Sequence, residues 1–132
     1  MEELKIDYLG GIGFQAKARG HAMTIDLAKE KGGLDQGMNP PEVFIASLGS
    51  CIGVYVVRYC QNAGLNTEGL NIAMAWKLSD DKHKISEINI GISLPNAEVG
   101  KREKAIMEVA RHCLIHNTIL GQPRIQVNLA NQ

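Results

Sequence analysis

Asn39-Pro40-Pro41-Glu42-Val43-Phe44-Ile45-Ala46-Ser47-Leu48-Gly49-Ser50-Cys51 reads as the opening half of one long apolar helix. Asn39 is a favoured N-cap, Pro40 suits the first helical position, and Glu42 falls where a capping-box acid reaches back to the cap. The pattern stays apolar to about Asn62, and Gly64 supplies a C-terminal stop. Its apolar residues go nearly all round, the mark of a buried helix rather than a surface one. Such a helix needs cover on every side. In a chain of 132 residues a sheet wraps only part of it, so a second copy is expected to supply the rest. The alternative is that the chain's own sheet and second helix suffice.

Outward from that helix the pattern changes to strands. Residues 3–8 alternate polar and apolar, Gly10-Gly11-Ile12-Gly13 is a turn, and Phe14–Ala18 and Ala22–Leu27 form two more strands joined at Arg19-Gly20-His21. Lys29 to Met38 is a polar, glycine-rich loop. After the helix, Leu70–Leu78 and Lys84–Leu94 read as strands around a Ser79-Asp80-Asp81-Lys82 turn. Pro95-Asn96-Ala97-Glu98 opens a second helix, expected to run unbroken to Leu120, and Arg124–Leu129 alternates as a last strand. The order βββ-α-ββ-α-β is that of an α+β fold, one domain over residues 1–132.

Composition excludes several classes of function. Lysine plus arginine and aspartate plus glutamate number 14 each, which leaves no electrostatic case for nucleic acid or an acidic membrane. The start is no signal peptide, and no apolar run approaches the ~18 residues that a membrane span needs. Three cysteines are too few for a secreted disulfide framework, and a reducing cytoplasm is the expected location. There a functional disulfide is transient.

Cys51 and Cys113 each lie in an apolar helical stretch, and a facing thiol pair is the minimum for reversible thiol–disulfide chemistry. Phe44, Ser47, Leu48, Val54, Tyr55 and Arg58 share the Cys51 face at helical spacing, with Phe44, Leu48 and Tyr55 suited to hold an apolar substrate. Cys51 lies roughly 18 Å beyond the helix N-terminus, out of reach of its dipole. An apolar setting alone leaves a thiol inert, so a reactive Cys51 requires a cation or base from elsewhere. Cys60 is about 180° round the helix from Cys51 and reads as structural. His112 and His116 flank Cys113, but His21 and His83 are isolated, so no metal site is expected. Glu42 has a structural role as the capping partner of Asn39, and it lies on roughly the opposite azimuth from Cys51.

Asn39-Pro40, the ending Leu48-Gly49-Ser50-Cys51, the motif Cys113-Leu114-Ile115-His116-Asn117-Thr118 and the element order together resemble the OsmC/Ohr family of organic hydroperoxide reductases. The resemblance covers nearly the whole chain. It implies an intertwined homodimer, with two buried central helices back to back, antiparallel sheets wrapped round them and active sites at the dimer interface. It also implies a Cys51 thiolate that attacks the peroxide and becomes a sulfenic acid, then a Cys51–Cys113 disulfide. Dihydrolipoyl-type dithiols or other thiols reduce that disulfide, and no bound cofactor is needed. The chain departs from the family pattern in three places. Ile12 stands where an activating arginine is expected, Pro41 precedes Glu42 where the family has its glutamate, and Leu114 replaces a proline. Glu42 as a catalytic residue, and Arg19 or Arg58 as substitute cations, are the candidates to fill these gaps. Two readings follow: a cysteine-based organic hydroperoxide peroxidase, or a non-enzymatic binding or redox-sensing protein holding a small apolar ligand.

Overall fold

The structure, a computed structural model, describes residues 1–130. Its element order is β1 (Lys5–Gly10), β2 (Gly13–Ala18), β3 (His21–Ile25), α1 (Pro40–Ala63), β4 (Asn71–Leu78), β5 (Ile85–Ser93), α2 (Glu103–Ala110) and α3 (Leu114–Gly121), with short 3-10 turns at Lys29–Lys31 and Gly100–Arg102. The fold is α+β, as the sequence pattern predicts. The chain divides into two compact units, Met1–Ala46 and the remainder from Ser47, so that α1 begins in the first and continues in the second.

In the first unit β1, β2 and β3 form an antiparallel sheet in that order. Tyr8 pairs with Phe14 across β1 and β2, their rings 5.6 Å apart. Arg19 and Gly20 turn the chain from β2 to β3 with φ of 52° and 84°, a two-residue hairpin turn that needs both residues left-handed. The loop after β3 is ordered by one buried carboxylate. Asp26, 4% exposed, accepts hydrogen bonds from the N–H groups of Leu27, Leu34 and Gln36 at 2.8, 3.1 and 3.3 Å. Gly33 closes this loop so tightly that a Cβ there would collide with the Leu27 carbonyl oxygen.

Helix α1 starts and stops as its sequence dictates. Asn39 Oδ1 accepts the Glu42 N–H at 2.9 Å, and Glu42 Oε1 accepts the Asn39 N–H at 2.8 Å, a complete capping box. At the other end Gly64 is left-handed (φ 71°), with Leu65 N–H on the Cys60 carbonyl and Gly64 N–H on that of Gln61. This is a Schellman stop.

In the second unit Leu48, Ile52, Val56 and Cys60 recur every four residues along one stripe of α1 and pack with Ile106, Ala110 and Cys113. Ile72 and Met74 of β4 and Ile88 and Ile92 of β5, alternate residues on one face of the hairpin, close over them. The small residues of α1 permit this approach. A Cβ on Gly49 would lie 3.2 Å from Met74 Sδ, and one on Gly53 would lie 3.3 Å from Ile72 Cδ1.

In the single chain α1 buries one stripe, while Phe44 and Val54 remain 41% and 47% exposed. Three expectations are corrected. By length and composition α1 is also apolar enough to cross a membrane, because its serines and glycines barely lower the mean hydropathy of the helix. Its core stripe and glycine contacts are nonetheless those of a helix packed on a sheet. The second helix is not continuous. Gly100 is left-handed (φ 48°), which delays the start beyond Pro95, and Cys113 is extended (φ −71°, ψ 154°), which separates α2 from α3. Finally, residues 122–130 form no strand. Ile125, Val127 and Leu129 alternate as predicted but stand 79–92% exposed, since alternation becomes a strand only where an edge pairs with it.

Candidate active site

Cys51 projects from the middle of α1 and is partly exposed, whereas Cys113 is 0% exposed at the junction of α2 and α3. Their thiols are close enough to interact electrostatically, and neither is in a disulfide. Cys113 is the N-cap residue of α3, its Sγ accepting the backbone N–H of His116 at 3.3 Å. Burial pushes the Cys113 thiol above its ordinary value and proximity to Cys51 adds to that push; the N–H groups of His116 and Ile115 pull the other way. The fold thus stabilises a thiolate at Cys113 by N–H donors at a helix N-terminus, and opposes it by desolvation. Cys60 is 0% exposed and embedded in the core, where burial raises its thiol as well.

The flanking histidines act differently from one another. His112 Nδ1 lies 2.7 Å from the Glu108 carbonyl oxygen and 3.9 Å from the Glu108 carboxylate, so its ring is held against the end of α2. The His116 ring lines a cavity of about 210 Å³ with Ile52, Ile92, Met107 and Arg111, and neither Cys51 nor Cys113 lines that cavity. What reaches Cys113 from His116 is the peptide N–H, not the imidazole.

The remaining candidates are scattered. Leu48 is 3% exposed and belongs to the core, and Tyr55 packs half-buried against that core. Phe44 lines an apolar cavity of about 460 Å³ in the first unit, with Ile6, Phe14, Ile25, Pro40 and Val43. Glu42 has its carboxylate in the capping box. Ile12 is 39% exposed. Arg19 occupies the β2–β3 turn and Arg58 is exposed on α1. Among the described residues no lysine or arginine hydrogen-bonds to either thiol, and no group of three metal-ligating side chains gathers.

The helix start at Cys113 is the feature that sequence reasoning missed. A proline at its first position would have announced it, and this chain has Leu114 there.

The family model described as OsmC-like protein matches residues 32–128, which include α1, both hairpin strands and both cysteines of the pair. The chain belongs to the OsmC family. Solved structures agree in fold. A Psychrobacter arcticus protein, provisionally named an osmotic stress induced and detoxification response protein, superposes with a TM-score of 0.81 at 18% identity over 89% of this chain and 88% of its own. An OsmC-like protein of Mycoplasma pneumoniae gives 0.75 at 19% identity, over 92% and 89% of the two chains. An organic hydroperoxide resistance protein OsmC of Legionella pneumophila gives 0.61 at 15% identity, over 92% and 90%. No curated protein matches the chain by sequence.

Proposed function

We propose that this OsmC-family chain is a cysteine-based peroxidase that reduces organic hydroperoxides in the cytoplasm. The observation that carries the reading is the neighbouring pair of free thiols, one partly exposed and one buried. The Cys51 thiolate attacks a peroxide oxygen, the O–O bond breaks, an alcohol leaves, and Cys51 becomes a sulfenic acid. Cys113 then attacks the sulfenic sulfur, water leaves, and the Cys51–Cys113 disulfide forms. An external dithiol of the dihydrolipoyl class supplies the two electrons that restore the pair. Apolar surroundings suit a greasy hydroperoxide and shield the sulfenic acid from further oxidation.

The working form in this proposal is a homodimer. A second copy would cover the exposed outer face of α1, where Phe44 and Val54 lie, and the apolar alternation of residues 125–129. Active sites at such an interface would draw on both chains.

One observation favours a second reading. With Ile12 at the activating position and no described cation hydrogen-bonded to either thiol, the chain would instead be a binding or redox-sensing protein for a small apolar ligand.

Stopped-flow oxidation of the reduced protein by cumene hydroperoxide and by hydrogen peroxide separates the two. Fast, organic-selective oxidation ending in the Cys51–Cys113 disulfide is the result expected of the peroxidase. Oxidation no faster than that of a free thiol leaves the binding protein.

A further inference from the structure

The two sulfurs of the pair differ in two independent ways. Cys51 is partly exposed and lies mid-helix, while Cys113 is sealed from solvent and caps α3 through a 3.3 Å hydrogen bond from the His116 N–H. In thiol–disulfide exchange both differences matter, because the attacking thiolate needs access to one sulfur and the other must leave as a thiolate. From this geometry we infer that reductants enter the Cys51–Cys113 disulfide at Cys51, and that Cys113 is the leaving thiolate, received by the N-terminus of α3. The inference rests on the disulfide of the proposed function and adds the direction of its reduction.

The step balances. A deprotonated external thiol attacks Cys51 Sγ along the S–S axis, a new S–S bond joins reductant and Cys51, and the Cys51–Cys113 bond breaks. The electron pair of the broken bond goes to Cys113 Sγ, where the His116 N–H faces it, and a solvent proton follows. A second thiol, the other half of a dithiol reductant, then attacks the reductant's own sulfur, leaves as a cyclic disulfide and frees Cys51. His116 is a positioning residue in this scheme by virtue of its peptide N–H and not its ring. A charge-assisted hydrogen bond to a leaving thiolate is stronger than one to a neutral thiol, so it favours this polarity of cleavage.

The test uses the full chain oxidised with diamide, which makes the disulfide without any peroxide. The oxidised protein is mixed with reduced glutathione, quenched in acid within milliseconds, and mapped by peptide mass spectrometry. The expected result is a glutathione adduct on Cys51 about tenfold or more in excess of that on Cys113. Equal adducts, or an excess on Cys113, overturn the inference, as does a failure of diamide to form the Cys51–Cys113 disulfide. Since peroxide plays no part, the adduct ratio decides the direction of reduction even in a protein inactive towards hydroperoxides.

Two variants separate the peptide N–H from the imidazole. His116→Ala keeps the donor and is expected to be reduced by glutathione within about twofold of the parent rate. His116→Pro removes it at a first-turn position where proline can be accommodated, and is expected to slow reduction about tenfold. Equal rates for the folded His116→Pro variant and the parent overturn the role given to α3, and the adduct map of the parent decides the matter if that variant does not fold.

Discussion

The Cys113 thiol has a neighbour on each of two elements: the Cys51 thiol of α1 lies near it, and the His116 N–H of α3 donates to it at 3.3 Å. One sulfur therefore meets solvent while its neighbour waits behind it. On the proposed mechanism Cys51→Ser reduces hydroperoxide turnover to background. Cys113→Ser instead stops after one oxidation and leaves a sulfenic acid on Cys51, which dimedone labelling and mass spectrometry detect. Full activity in Cys51→Ser would refute the mechanism.

Glu42 was a candidate for catalysis by position, yet both halves of its hydrogen-bonding serve the start of α1. Removing an N-cap partner typically costs about 1 kcal/mol, so Asn39→Ala and Glu42→Ala are each expected to lose about that much unfolding free energy in urea. Glu42→Gln keeps an oxygen for the Asn39 N–H and should retain both stability and turnover. A Glu42→Gln variant of unchanged stability but without activity would instead assign the carboxylate to the reaction.

The strands, the long helix and its two boundaries were legible because each rests on local signals. Asn39, Pro40, Glu42 and Gly64 fix α1, and period-two alternation fixes β1 to β5. What was not legible depends on contacts distant in sequence or on single backbone angles. Gly100 delays the second helix and Cys113 splits it, each through its own dihedrals, with no proline or capping serine at the break to announce it. Arg124 to Leu129 carried a true alternation without an edge to pair it. The cysteine pair itself was readable, but the unequal settings of its two sulfurs arise from the α2–α3 break and so could not be.

Asp26 drew no notice in the sequence, where it is one acid before a polar loop. Its carboxylate is buried and receives three backbone N–H groups, from Leu27, Leu34 and Gln36. Hydrogen bonds to a charged acceptor contribute about 1.5–3 kcal/mol each, and removing the acceptor leaves the donors short of a partner. Asp26→Ala is therefore expected to lose roughly 3 kcal/mol or more of stability, beyond what any single bond accounts for. Thermal unfolding checks this, and hydrogen exchange of the Leu34 and Gln36 amides should speed up in step. A change within experimental error would mean that the loop is held by other contacts.

The buried thiols make stability depend on pH on the alkaline side. Burial raises Cys60, and burial foremost raises Cys113, above the ordinary thiol value. The unfolded chain then gives up these protons near pH ~8.5 while the folded chain still holds them. Unfolding releases protons in that window, so the stabilising contribution is complete below pH ~8.5 and declines as pH rises towards the folded values. Each such thiol adds a downward slope of at most about 1.4 kcal/mol per pH unit. Urea unfolding of the reduced protein across the neutral to alkaline range should show the decline, and Cys60→Ala should show a shallower one from its own starting stability. Lysines and tyrosines titrate in the same range, but they are common to both proteins and cancel in the comparison. Parallel curves for parent and Cys60→Ala would show that the Cys60 thiol ionises as readily folded as unfolded.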